Sequence, residues 1–70
     1  MNREPVRSSN IRSIGYDPGT LTLEVEFGTG TIYVYSNVPG HIHQQLTTAS
    51  SKGSFFNNHI KGRFPFRQLR

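Results

Sequence analysis

The stretch Leu21-Thr22-Leu23-Glu24-Val25-Glu26-Phe27 alternates apolar and polar residues without a break. Successive side chains of a strand point to opposite faces, so this pattern specifies a β-strand with one apolar face. Leu21, Leu23, Val25 and Phe27 share that face, and Thr22, Glu24 and Glu26 occupy the other, expected to meet solvent. One such strand cannot stand alone. It needs paired neighbours and a second layer over its apolar side.

The neighbours are readable on both sides. Ile11 to Tyr16 forms a short strand with Ile14 and Tyr16 on one face, and Asp17-Pro18-Gly19-Thr20 carries turn chemistry. Proline presets φ, Asp accepts from the backbone ahead of it, and glycine tolerates positive φ. After Phe27, Gly28-Thr29-Gly30 turns the chain into a third strand over Thr31 to Asn37. A two-residue loop would pair Val25 with Val34. A three-residue loop with Gly30 at positive φ pairs Val25 with Tyr33 and Leu23 with Tyr35, and the glycine favours it.

Beyond Val38 the period changes. Pro39 suits a helix start, and Ile42, Leu46 and Ala49 follow at helical spacing as a narrow apolar stripe. Ser51 is placed to cap a second short helix running to Lys61, with Phe56 and Ile60 inward and Gly62 as its terminator. The expected fold is α+β: a three-stranded antiparallel meander followed by two short helices packed on one face. A single domain over residues 8–67 is expected, with 1–7 and 68–70 as flexible termini.

Seventy residues without a cysteine have neither disulfide nor thiolate metal support, leaving a core worth roughly 3–5 kcal/mol. The lack of disulfides points to the cytoplasm, as does an N-terminus without the apolar run of a signal peptide. No segment approaches the length of a membrane span.

Nothing resembles a nucleophilic centre. There is no Gly-x-Ser-x-Gly elbow, and the one close carboxylate pair, Glu24 and Glu26, reads as an ordinary polar sheet face. His41 and His43 are two apart on a helix, about 200° around its axis, and so cannot readily share a metal. An enzyme is not expected, nor is a metal or other cofactor.

Charge is more informative. The formal net charge is +4, yet all four acids lie in the first 26 residues. Residues 51–70 hold Lys52, Lys61, Arg63, Arg67 and Arg70 with no acid. Aromatics and amides interleave with these bases, a composition suited to nucleic acid: bases of the protein hold phosphates and rings stack nucleobases. Lys52, Lys61, Arg63 and Arg67 are the expected phosphate contacts, with Arg70 assisting. Phe55, Asn57, Tyr33 and Tyr35 are the expected base contacts. Phe56, Phe64 and Phe66 read first as core, as do the two tyrosines with their hydroxyls at the rim. The amide groups of Lys52-Gly53-Ser54, opening the second helix, also suit an anion.

Ile14-Gly15-Tyr16-Asp17, Leu23-Glu24-Val25-Glu26-Phe27, Tyr33-Val34-Tyr35, Val38-Pro39, Ser51-Lys52-Gly53-Ser54-Phe55-Phe56-Asn57 and Ile60-Lys61-Gly62-Arg63-Phe64-Pro65 together resemble the KTSC domain. The resemblance covers about residues 6–67. That family is named for the C-terminal extension of some lysyl-tRNA synthetases and also occurs as free-standing bacterial and phage proteins. It implies RNA binding and carries no catalytic residues. Positions that resemble tyrosines in relatives are Phe55, Phe64 and Phe66 here, which leans them towards packing.

The expectation is therefore an RNA-binding module, with a domain that docks an acidic protein partner as the alternative. Three or four neutralised phosphates would give log affinity a slope of roughly −2 to −3 against log salt. Both readings require the late cations to gather on one face, unopposed by Glu24 and Glu26.

Overall fold

The computed structural model describes residues 3–70. Its strands are β1 (Glu4–Pro5), β2 (Ile11–Asp17), β3 (Thr22–Phe27), β4 (Ile32–Tyr35) and β5 (Phe66–Gln68); helices α1 (Gly40–Thr48) and α2 (Lys52–His59) lie between β4 and β5. All neighbouring strands pair antiparallel in the order β1-β2-β3-β4-β5. The α+β meander with two helices is as expected, but the sheet has five strands rather than three. The two added edges come from segments too short and too polar to carry an alternating signal. β1 and the last residue of β5, Gln68, fall in the ends expected to be flexible: Glu4 pairs with Ile14, and Leu69 and Arg70 both donate backbone N–H groups to the Ile32 carbonyl.

The register across β3 and β4 follows the three-residue loop. Leu23 stands opposite Tyr35 and Val25 opposite Tyr33, with Gly30 at φ +93°. On the other side, Ile14 pairs with Val25 and Tyr16 with Leu23. One sheet face is thus apolar across three strands. Against it pack Leu46 of α1, Phe56 of α2 and Ile60, with Val38 between sheet and helix, to make the core. The Tyr16 hydroxyl donates to the Val38 carbonyl at 2.5 Å and ties that link to β2.

Leu21 departs from the expected pattern. It lies outside β3 with φ +56° and is exposed, while its carbonyl accepts from the Val38 N–H. The turn explains this. The Asp17 carboxylate accepts from the Gly19 N–H at 2.9 Å, and the chain needs one left-handed residue before it re-enters the sheet at Thr22.

The opposite face holds the larger correction. Glu24 and Glu26 are buried, at 8% and 9% exposure, rather than facing solvent. Burying a carboxylate demands partners, and arginines from three elements supply them. Arg3 contacts Glu24 and lies 4.0 Å from Glu26. Arg12 and Arg70 reach the other Glu26 oxygen at 3.8 and 3.5 Å. The Ser13 hydroxyl donates to Glu26 at 2.8 Å and in turn accepts from Arg3. Ile32 and Val34, cross-strand neighbours of the glutamates, are buried on this same side.

The Ser13 hydrogen bond, with the three guanidinium groups adding to it, holds the Glu26 carboxyl below its ordinary value despite burial. A carboxylate favoured in the folded state stabilises above the unfolded pKa. That contribution disappears as pH falls through the folded pKa. Urea midpoints should therefore drop as pH falls below about 4.5. In Glu26→Gln the neutral-pH midpoint should be lower and this acid-dependent loss smaller; an unchanged acid limb in the variant would contradict the assignment.

Candidate functional site

The register that fills the core also gathers rings at one end of the sheet. Phe27, Tyr33 and Tyr35 share the helix-side face with Phe66, because Tyr35 pairs with Phe66 across β4 and β5. Phe56 reaches them from α2. Centroid separations are 5.2 Å for Phe27–Phe56, 5.8 Å for Phe27–Tyr33, 5.5 Å for Tyr35–Phe56 and 5.4 Å for both Tyr33–Phe66 and Tyr35–Phe66. Most of these pairs meet edge to face, the arrangement that ring quadrupoles favour. Phe56 and Tyr35 are buried, whereas Phe66 is 57% exposed.

These rings line an open cleft of about 830 Å³, within the range of small-molecule sites. Asn57 of α2 and Lys61 and Gly62 just beyond it border the cleft, and Ser9, Asn10, Gly28, Thr29 and Thr31 complete the lining. Lys61 is the one charged residue among these, and no carboxylate lines the cleft. Burial raises the Tyr35 phenol further above its ordinary pKa, so it stays a neutral donor.

Short contacts set the two sides of the rim. Ser51 accepts from the Ser54 N–H and starts α2, while Lys61 N–H closes back on the Phe56 carbonyl and Gly62 takes φ +77°. The Asn10 carbonyl accepts from Gly28 N–H at 2.9 Å, and its side chain accepts from the Ser8 hydroxyl. Asn10 lies hard against α2: a Cβ on Gly53 would sit 2.6 Å from Asn10 Oδ1.

Of the residues expected to form the site, Tyr33, Tyr35, Asn57 and Lys61 come together here. The other cations do not. Lys52 donates to the Ala49 carbonyl at the end of α1, and Arg63 donates to the Asn58 carbonyl of α2. Each satisfies a carbonyl that a helix end leaves without a partner. Arg67 pairs with Val34 in register and so lies on the face away from Phe66. Arg70 is committed to Glu26, which overturns the expectation that the late cations stand unopposed by that glutamate. Phe55 is half-buried and packs on His59 at 4.5 Å, outside the cleft. The amide of Ser54 at the head of α2 is occupied by Ser51.

Sequence reasoning did not assign Phe27, Phe66 or Asn10 to the site. Phe27 could have been found by extending the favoured register, since it falls on the face of Tyr33, whereas Phe66 reaches that face through β5, a segment too short to show a period. Asn10 carries no such signal, for it sits in a loop positioned by tertiary contact. The histidines are dispersed. His43 stacks on Tyr16 at 4.6 Å, and burial lowers its pKa; His41 is exposed on α1 and His59 lies on α2. Among the described residues no three His, Asp or Glu side chains form a metal cage, and no helix is long and apolar enough to cross a membrane.

The fold and cleft define a small α+β domain: an antiparallel meander, two helices on one face, and an aromatic groove between α2 and the far sheet edge. Residues 7–64 match the KTSC domain family. The chain is 47% identical to the KTSC domain protein of Yersinia pestis. That structure superposes with a TM-score of 0.93 over 99% of this chain and 97% of the other. An uncharacterised protein of Stutzerimonas stutzeri is 46% identical over 61 residues, covering 87% of this chain and 86% of that protein. A lysine–tRNA ligase of Nostoc punctiforme is 44% identical over the same share of this chain, but the match spans only 11% of the ligase. The chain belongs to the KTSC domain family.

Gly53 offers a test of how the rim is held. Alanine is preferred to glycine by up to about 1 kcal/mol within a helix, and the new Cβ meets only the end of the exposed Asn10 side chain, which can swing aside. Gly53→Ala should therefore shift the Asn10 side-chain amide resonances and change stability by less than about 1 kcal/mol. With Asn10→Gly in the background the same change should be more stabilising. Additive effects across this double-mutant cycle would show that the two residues do not meet.

Proposed function

We propose that this domain is a non-enzymatic, cytoplasmic module that binds single-stranded nucleic acid, RNA above all, in the aromatic cleft. The observation that carries the reading is the exposed ring of Phe66 beside Tyr33, facing Lys61 and Asn57 across a groove lined by no carboxylate. A nucleobase gains about 1–3 kcal/mol by stacking on an aromatic side chain, whatever its identity. Phe66 stacks the base while Tyr33, nearly perpendicular to it, meets the base edge; the Tyr35 hydroxyl donates at the cleft floor, and Lys61 holds a phosphate. Arg63, exposed two residues further on, extends the path of the strand. Lys52, Phe55 and Arg67 stand outside this path and contribute at most to long-range attraction. The relatives named as lysine–tRNA ligases make RNA the class to test first.

With two cations on the path, the salt dependence is gentler than the sequence suggested. Log affinity for an unstructured RNA oligonucleotide should fall against log salt with a slope of roughly −1.4. Lys61→Ala should reduce that slope to roughly −0.7. Phe66→Ala should weaken binding by about 1–3 kcal/mol with the slope unchanged. Absence of binding at low salt, together with a partner protein retained after nuclease treatment, would replace this reading with docking of an acidic protein.

A further inference from the structure

Five rings line the cleft, but they are not equally open. Tyr35 and Phe56 are buried, Phe27 and Tyr33 are half-buried, and Phe66 alone is largely exposed. Phe66 lies 5.4 Å from Tyr35 with the planes 33° apart, and it meets Tyr33 at 76°. The rings thus form a corner rather than a row. Proteins that track a strand stack successive bases on successive rings. Here one ring is free to take one base. The cations are as few: Lys61 borders the cleft, and Arg63 is exposed two residues further on. Two residues of chain span at most about 7 Å, so these cations serve the phosphates beside a single nucleotide rather than a long run. The rim does not read the base. Asn10 Oδ1 accepts from Ser8, and the Thr29 hydroxyl donates to Thr31. The exposed Asn57 amide turns a donor and an acceptor to any unpaired base edge.

We infer that the cleft takes a single unpaired nucleotide held within structured RNA, whatever its base, and passes over paired nucleotides. The magnitudes decide this. A nucleotide inside a duplex has both faces covered, and extruding it costs a few kcal/mol, which cancels the stacking gain of about 1–3 kcal/mol on Phe66. A nucleotide that is already unpaired, as in a bulge, carries no such cost. A flexible strand also reaches Phe66, but it loses conformational freedom on binding. One ring and two cations do little to offset that loss. Paired flanks hold the bulged nucleotide and its phosphates in place beforehand, so the same contacts yield a tighter complex. The cleft volume, that of a small-molecule site, suits one nucleotide entering from the side. This inference rests on the reading of the cleft as a nucleic-acid site.

The test uses the full chain at low salt and labelled RNAs followed by fluorescence anisotropy. The RNAs are a short blunt duplex, the same duplex carrying one bulged nucleotide, a short unstructured strand and a strand about three times longer. The bulged duplex should bind about tenfold more tightly than the blunt one, a difference that one stacked base supplies. It should also outbind the short strand. Bulges of A, G, C and U should lie within about threefold of one another. Tripling the strand length should raise affinity by no more than about threefold, the factor that extra binding registers supply when one nucleotide is held. Phe66→Leu should reduce the bulged-to-blunt ratio to below about threefold, and Phe66→Tyr should retain it. Equal binding of blunt and bulged duplexes, or a bulge base preferred tenfold, overturns the single-nucleotide inference but leaves the nucleic-acid reading intact. So does a short strand that outbinds the bulge, an affinity that climbs tenfold with length, or a ratio that survives Phe66→Leu. Failure of every RNA to bind overturns both.

Discussion

Two carboxylates on the central strand are shielded from water, and much of the architecture follows from satisfying them. Glu24 and Glu26 share a face of β3, so neither can move to solvent without flipping Leu23 and Val25 out of the core. The chain resolves this by bringing in cations from far along its length. Arg3 arrives from the N-terminal edge, Arg12 from the bulged part of β2, and Arg70 from beyond β5. Both outer strands are thereby fastened to the middle of the sheet by charge as well as by backbone pairing. Such a network contributes geometry more surely than net stability, because desolvation offsets much of the attraction.

This allocation of arginines also explains why the basic surface is smaller than the composition suggests. A count of charges along a chain treats every lysine and arginine as available. In the folded molecule Arg70 is paired with Glu26, while Lys52 and the Nε of Arg63 donate to helix-end carbonyls. The cleft itself is lined by one cation, Lys61, with the exposed Arg63 two residues further on. The cleft consequently offers ring surface more than bulk positive potential.

The legible parts of the sequence were those governed by local rules. The β3 alternation, the Gly30 turn, the Ser51 cap and the Gly62 terminator each follow from the conformational needs of a few adjacent residues, and each stands where expected. The β3–β4 register was recoverable because a glycine at positive φ selects the loop length. The short edges β1 and β5 were not recoverable, since two or three residues cannot show a period. The burial of the glutamates escaped notice for a related reason: their arginine partners are 14 to 44 positions away, and no local pattern records them. Part of the site was visible in Tyr33, Tyr35, Asn57 and Lys61. The rest depended on register and on a loop placed by tertiary packing.

The meander joins its first four strands in turn by three short connections, so those pairings form with little loop entropy to overcome. β5 is different, for residues 36–65 must fold into both helices before it can meet β4. Closing so long a segment is entropically unfavourable, though only slowly more so with length. The strand bearing Phe66 is thus an edge strand, paired with β4 alone and closing the longest connection of the sheet. One wall of the aromatic groove therefore stands on a sheet edge brought in from far along the chain, while its floor is set in the interior strands.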